Sequence, residues 1–117
     1  MPLIVIEEDG EARKAKMEDY VEITKALLMH IPIGRVTTYG TIAKILDISP
    51  RLAGRLMALN DEGVIAPCHR VIKSDGSLGG YSGRGGREFK RKILSFEGIE
   101  FTSKDKIKLE YILRKII

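Results

Sequence analysis

The fold of this 117-residue chain is decided by residues 38–59, which read TYGTIAKILDISPRLAGRLMAL. Thr38 precedes an apolar helical pattern over 39–46, and its hydroxyl can accept a hydrogen bond from an amide of the first turn. Ser49 followed by Pro50 supplies a cap and a first-turn proline, which together predict a second helix to about residue 59. Two short helices separated by three residues form a helix-turn-helix outline.

The two predicted helices present different faces. In the first, Ile42, Ile45 and Leu46 are expected to face inward, and in the second Arg51 and Arg55 lie one turn apart on one side. A helix pair of this kind either packs against the rest of its own domain or binds DNA. This feature alone does not decide between them.

Working outward, the remaining segments predict a mostly helical chain with minor strand. Residues 1–16 read as an N-terminal arm, a short strand followed by an exposed charged connection, and 17–117 as one domain. Three further helices are predicted. The first covers Met17–Ile31 and is ended by Pro32, and the last covers Ile107–Ile117. Between them a helix over Glu88–Phe96 is expected to turn Phe89, Ile93 and Phe96 inward and to end at Gly98.

Composition excludes several classes of protein. With 44% hydrophobic and 31% charged residues, the chain is globular rather than disordered. No apolar run approaches the ~18 residues of a membrane span, and no basic leader precedes the apolar start, so an intracellular protein of the cytoplasm or nucleoid is expected. The chain has no Gln and one Asn, a depletion that is associated with thermophiles.

Charge is unevenly distributed along the chain. Residues 1–22 hold seven acidic and three basic residues, whereas 34–60 hold four basic residues and one acidic residue, and 68–92 hold seven and two. Two concentrated basic segments favour a polyanionic partner such as DNA, because phosphate neutralisation supplies most non-specific nucleic-acid affinity. A solvated basic surface would give the same pattern.

The single cysteine stands in Pro67-Cys68-His69-Arg70. One cysteine and two histidines exclude an internal disulfide and a cysteine-based zinc cluster, so neither a metal nor a cofactor is expected. A neighbouring base or cation raises the thiolate fraction of a thiol, and the thiolate is the nucleophile. A lone cysteine is also commonly a small buried hydrophobe, so both possibilities remain open on chemistry alone.

Taken together, these motifs resemble the O6-alkylguanine-DNA alkyltransferases. The matching segments are Gly34-Arg35-Val36-Thr37-Thr38-Tyr39-Gly40, the arginine-bearing helix, Asn60, Pro67-Cys68-His69-Arg70-Val71 and Gly80-Tyr81-Ser82-Gly83. The resemblance covers about residues 31–98 and corresponds to the family's C-terminal, catalytic and DNA-binding domain. It implies a winged-helix-like helix-turn-helix fold.

The resemblance also implies a reaction. Cys68 would attack the alkyl carbon on guanine O6 and keep the alkyl group permanently, so that each molecule acts once. His69 would deprotonate Cys68 through a water, Glu97 would orient the imidazole, and Asn60 would brace the turn before the cysteine segment. A carboxylate that fixes the tautomer of a histidine is familiar from other nucleophilic sites.

Binding roles follow from the same resemblance. The target base must leave the duplex, at a cost of a few kcal/mol. Arg51 would fill the vacated place in the stack, and Tyr39 would crowd the backbone phosphate and reach the base. The residues expected to contact DNA are Thr38, Arg51, Ala53, Gly54, Arg55 and Arg70. Those expected to form the guanine pocket are Tyr39, Val71, Tyr81, Ser82 and Lys90.

Two other functions compete with alkyl transfer. A non-catalytic alkyltransferase-like sensor would bind alkylated guanine without chemistry, although such proteins lack the reactive cysteine that Cys68 matches. A plain helix-turn-helix module with an inert cysteine would leave the constellation of Tyr39, Asn60 and Tyr81 unexplained. The partner expected in the main interpretation is double-stranded DNA that contains O6-alkylguanine, bound by a monomer and away from any membrane.

Overall fold

The structure, a computed structural model, describes residues 4–59, 67–79 and 86–116. Within these ranges the chain forms four α-helices and six short strands, so the expectation of a mainly helical protein is confirmed. In chain order the elements are β1 (Ile4–Ile6), β2 (Ala12–Lys14), α1 (Met17–Leu28), β3 (Thr37–Thr38), α2 (Tyr39–Leu46), α3 (Pro50–Ala58), β4 (Val71–Ile72), α4 (Gly86–Phe96), β5 (Phe101–Ser103) and β6 (Lys106–Ile107).

The helix-turn-helix outline of α2 and α3 begins and ends close to the predicted residues. The Thr38 hydroxyl accepts a hydrogen bond from the Thr41 amide at 3.0 Å, and the Ser49 hydroxyl accepts one from the Leu52 amide at 3.1 Å. Asp47, with a φ of 55°, ends α2 in the left-handed conformation. The two predicted caps therefore set the start of each helix, because they satisfy amides that the helix itself leaves unpaired.

The prediction that Ile45 of α2 faces inward is wrong. Ile42 and Leu46 are buried, but Ile45 is 36% exposed and Ala43 takes the inward position instead. Successive residues on a helix turn by about 100°, so Ile42, Ala43 and Leu46 form one face and Ile45 falls at its margin.

Before α2, the N-terminal part is a hairpin followed by one helix. β1 and β2 pair antiparallel, so the predicted irregular connection contains a second strand. Arg13 of β2 binds Asp19 of α1 at 2.7 Å and also pairs with Glu7, which ties the hairpin to the helix. α1 ends at Leu28 rather than at residue 31, because the residue before Pro32 is disfavoured in helical conformation.

The C-terminal segment is not the predicted helix over 107–117. It contains β6, a single 3₁₀ turn at Leu109–Tyr111 and an extended tail. The tail lies beside β3: the Leu113 amide donates to the Val36 carbonyl at 2.7 Å, and the Thr37 hydroxyl donates to the Leu113 carbonyl at 2.7 Å. On its other side β3 pairs in parallel with β4, and these backbone hydrogen bonds outweigh the helical periodicity of the tail.

Helix α4 has the predicted C-terminus but faces the core with other residues. Phe89 is 40% and Phe96 is 93% exposed, whereas Lys90 and Leu94 are fully buried. The predicted inward face of Phe89, Ile93 and Phe96 is therefore wrong. The cause is Lys90, which a hydrophobicity pattern assigns to solvent and which the fold holds in the interior.

Two groups of buried side chains form the core. One joins α1, α2 and α3 with the cysteine segment, and it includes Tyr20, Leu28, Ile42, Leu56, Cys68 and Val71. The other joins the strands and α4, and it includes Val36, Ile72, Leu78, Leu94, Ile99 and Ile107. None of the helices in the described ranges is long and apolar enough to cross a bilayer.

Candidate functional site

Cys68 lies in the interior, at the start of a 3₁₀ turn over Cys68–Arg70 that leads into β4. Its side chain is 6% exposed, and it packs in the helical core cluster. Pro67 precedes the turn, and the Arg70 amide donates to the Pro67 carbonyl at 3.0 Å. Because this segment is a turn, Cys68 and His69 do not point to opposite faces as neighbours in a strand do.

His69 and Arg70 converge on one carboxylate, that of Glu97 just after α4. The Nε2 atom of His69 lies 2.9 Å from Oε2 of Glu97, and the Arg70 guanidinium donates two further hydrogen bonds, of 2.9 Å to Oε1 and 2.8 Å to Oε2. A third bond runs from Arg70 to the Ile31 carbonyl at 3.0 Å. The carboxylate thus links the cysteine segment to α4. Arg70 in turn links both to Ile31, in the chain that follows α1.

This network sets the protonation of both titrating groups. Burial raises the pKa of Glu97, but hydrogen bonds from Arg70 and His69 outweigh it, so its pKa is lowered and the carboxylate stays ionised. Burial lowers the pKa of His69 and outweighs the effect of Glu97 in the other direction, so the ring is neutral at pH 7. An ionised carboxylate can only accept, so the ring proton belongs on Nε2.

The other ring nitrogen of His69 is left as an acceptor. Nδ1 is buried and has no hydrogen-bond partner among the described residues. A neutral imidazole with its proton on Nε2 presents a lone pair at Nδ1, which can receive a proton from a nearby acid. The site therefore holds a neutral base whose tautomer is fixed by Glu97.

Lys90 and Tyr39 lie near Cys68 and interact with it electrostatically. Lys90 is fully buried, and its ammonium donates to the Val71 carbonyl at 2.8 Å and lies 5.8 Å from the centroid of the Tyr39 ring. Burial lowers the pKa of Lys90 to about 8 and raises that of Tyr39, and both groups interact electrostatically with Cys68. Three of the predicted pocket residues, Tyr39, Val71 and Lys90, are thus brought together beside the thiol.

Gly79 is a part of this site that sequence reasoning missed. Its φ is +69°, and a Cβ added there would lie 3.4 Å from the Tyr39 ring. The backbone conformation therefore favours glycine, and an added Cβ would lie in ordinary van der Waals contact with the Tyr39 ring. The cluster of glycines at 76–86 is the available signal, but nothing in it singles out this position.

The α3 surface has exposed cations around a glycine. Arg51 and Arg55 are both exposed, and a Cβ added at Gly54 would meet nothing within 4 Å. The space over this helix is therefore open to a partner. Ala53, which was also expected to contact DNA, is fully buried in the helical core, so its side chain packs inward. Its contact with DNA stays a prediction.

The side chains of two other residues that were expected to contact DNA, Thr38 and Arg70, are bound within the protein. Thr38 is 1% exposed, caps α2 and shares a hydrogen bond of 2.9 Å with the Thr41 hydroxyl. Arg70 is 8% exposed, and its guanidinium is bound to Glu97 and to the Ile31 carbonyl. Their contacts with DNA stay predictions.

Asn60, Tyr81 and Ser82 lie outside the described residues, so their roles stay predictions. For metals, no group of three His, Cys, Asp or Glu side chains in the described part of the chain could hold an ion.

Comparison with known proteins places this arrangement in a family. Residues 20–99 match the family model of the 6-O-methylguanine DNA methyltransferase DNA-binding domain. A methylated-DNA–protein-cysteine methyltransferase of Pyrobaculum aerophilum is 57% identical over 91 residues, which make up 76% of this chain and 60% of that protein. One from Methanopyrus kandleri is 46% identical over 62% of this chain and 53% of its own length. The chain thus spans little more than half the length of these relatives.

Solved structures agree with this assignment. S. pombe Atl1, in complex with damaged DNA containing O6-carboxymethylguanine, is similar with a TM-score of 0.70 and 29% identity, over 85% of this chain and 98% of that one. The O6-methylguanine-DNA methyltransferase of Pyrococcus kodakaraensis is similar with a TM-score of 0.61 and 38% identity, over 68% and 46%. The segment that matches the family model, residues 20–99, spans the helix-turn-helix, the cysteine turn and α4. The chain therefore belongs to the 6-O-methylguanine DNA methyltransferase DNA-binding domain family.

Proposed function

We propose that this protein transfers the alkyl group of O6-alkylguanine in duplex DNA to Cys68, once per molecule. One observation carries the proposal: His69, next to the only cysteine, is held by Glu97 through Nε2 and keeps Nδ1 as an acceptor. A purely structural cysteine would not need a neutral base of fixed tautomer beside it.

In the proposed reaction, His69 takes the thiol proton of Cys68 through a water, and the thiolate attacks the alkyl carbon. The sulfur–carbon bond forms as the O6–carbon bond breaks, and the electron pair of the broken bond stays on guanine. The guanine then takes up one proton, which balances the one that the thiol lost. Lys90 supports the thiolate, because a buried ammonium favours a neighbouring negative charge.

DNA binding is assigned to α3. Arg51 and Arg55 would contact the duplex, with Arg51 filling the place that the flipped nucleotide leaves, and the open face of Gly54 would let the helix backbone approach closely. Tyr39 would border the flipped base beside Lys90. We also propose that this chain corresponds to the C-terminal, catalytic part of its relatives and has a winged-helix-like arrangement. Residues 1–16 would form an arm and residues 17–117 one domain. The protein would act as an intracellular monomer.

Intact-protein mass after incubation with a duplex that carries one O6-methylguanine tests the reaction. Wild type should gain one methyl group, mapped to Cys68, whereas Cys68→Ala and an unmodified duplex should give no gain. Absence of a methyl group on folded wild type would overturn the proposal.

A second candidate function is lesion sensing without chemistry. The likeness to S. pombe Atl1 over 98% of that chain favours it, since that protein was solved with damaged DNA. The presence of Cys68 beside His69 argues against it. Preferential binding of the methylated duplex without methylation of Cys68 would establish the sensor instead.

A further inference from the structure

A groove borders the start of α2. It has a volume of about 520 Å³ and is bordered by Gly40, Thr41 and Lys44 of α2 and by Arg114 and Lys115 of the C-terminal tail. Tyr39, which borders Cys68, and Gly40, which borders the groove, are consecutive residues. The groove is therefore one residue away from the wall of the proposed guanine pocket.

The groove is strongly cationic. Lys44, Arg114 and Lys115 are exposed, and none of them forms an ion pair with an acidic side chain in the described ranges. No described Asp or Glu lines it. Three unneutralised cations around one concave surface repel each other, and an anion bound between them would remove that repulsion.

The tail cations are held in position by backbone bonds. The Leu113 amide and carbonyl are both bonded to the β3 segment, and the Arg114 guanidinium donates to the Ser74 carbonyl at 3.2 Å. Arg114 and Lys115 thus border the groove from a tail that is bonded to β3 and to Ser74. They also lie beyond residue 99, where the match to the family model ends, so this half of the groove is supplied by a segment outside the matched domain.

We propose that this groove binds a phosphate of the DNA backbone, beside the nucleotide that enters the cysteine site. The inference rests on the proposed DNA-binding function and extends it, because it adds a contact that α3 does not make. The first helix of a helix-turn-helix crosses the backbone in many complexes, which fits a phosphate site on α2. The tail would then act as part of the DNA-binding surface.

The salt dependence of DNA binding tests the proposal. The variant Lys44→Gln/Arg114→Gln/Lys115→Gln is compared with wild type and with the charge-matched control Lys14→Gln/Lys92→Gln/Lys104→Gln, whose cations do not line the groove. For each phosphate that the protein no longer neutralises, the slope of log K against log salt becomes shallower by about 0.9, and affinity falls about fivefold at 0.15 M salt. The groove variant should show this decrease, and the control should not.

A duplex with single neutral methylphosphonate linkages locates the phosphate. Wild type should bind more weakly when one or two linkages near the modified guanine are neutral, and the groove variant should be insensitive at the same linkages. If the slope of log K against log salt were equal for the groove variant and wild type, the phosphate site in the groove would be overturned. DNA binding by α3 would not be affected by that result. Wild type that fails to bind any duplex would overturn the proposed function as well. If circular dichroism shows that the triple variant is unfolded, Lys44→Gln/Lys115→Gln replaces it, since both side chains are exposed.

Discussion

The Oε2 atom of Glu97 lies 2.9 Å from Nε2 of His69, across 28 residues of sequence. The same carboxylate is bound by Arg70, so its negative charge is shared between a neutral ring and a permanent cation. The arrangement keeps the imidazole oriented without making it a strong base. We therefore expect Glu97 to act as a positioning residue, with an effect that is measurable through the titration of His69.

The acidic limb of the rate of alkyl transfer should have its midpoint below about pH 6.5, the ordinary pKa of histidine. The sign follows from burial, which lowers the pKa of His69, so that the neutral base persists at pH values where an exposed histidine is half protonated. Single-turnover methylation of Cys68 from pH 5 to 8 measures the midpoint. A midpoint above about 6.5, the ordinary pKa of histidine, would contradict the neutral-base role.

The variant Glu97→Gln should lower the maximal rate by about 10²-fold, the usual contribution of a positioned base. It should also move the midpoint of the acidic limb to lower pH, because Glu97 is the group that raises the pKa of His69. A merely structural role would reduce the amount of folded protein without moving that midpoint.

Removal of the Arg70 side chain should destabilise the fold. Arg70→Leu leaves the Glu97 carboxylate poorly paired at 12% side-chain exposure, and breaking a buried ion pair costs about 3–5 kcal/mol. Denaturant unfolding measures the change in the free energy of unfolding. The double variant Arg70→Leu/Glu97→Leu should be less destabilised than the single variant, and a larger destabilisation would show that the charge pair is not the cause.

Gly54→Ala should have opposite effects on stability and DNA binding. Within a helix, alanine is favoured over glycine by about 1 kcal/mol, and the added Cβ meets no protein atom within 4 Å. The free energy of unfolding should rise by that amount, while affinity for duplex DNA falls because the methyl group separates the helix from its partner. Unchanged affinity would mean that α3 does not approach DNA at this position.

Gly79→Ala should impair both folding and transfer. The left-handed conformation costs an alanine about 1–2 kcal/mol, and its Cβ would add a methyl group in contact with the Tyr39 ring beside Cys68. Gly10→Ala is the matched control, since Gly10 has a φ of +87° with nothing within 4 Å of the added Cβ. It should show the backbone cost by thermal unfolding but leave methylation of Cys68 unaffected.

Local signals in the sequence predict α2 and α3 well. Thr38, Ser49 and Pro50 act on the next few residues, so they need no knowledge of the remaining fold. The burial of Lys90 could not be predicted in this way, because its partner is the carbonyl of Val71, 19 residues earlier. The same holds for the tail, whose extended form depends on β3, where Thr37 lies 76 residues before Leu113.

The site shows the same division. The motif around Cys68 and the distant Glu97 are recognisable through resemblance, and the structure brings His69 and Glu97 into hydrogen-bond contact. The burial of the Arg70 and Ala53 side chains could not be predicted, because the sequence does not show which way a charged or small side chain points. Only the packing of the cysteine turn against α4 and of α3 against the core decides it.

Cys68 belongs at once to the proposed site and to the hydrophobic core. A transferred methyl group therefore adds volume where packing is dense, and such an addition typically costs about 1–3 kcal/mol. Alkyl transfer would then also destabilise the fold, so that the alkylated protein melts at a lower temperature than the unreacted protein. In a protein that acts once, the fold would itself record whether the chemistry has happened.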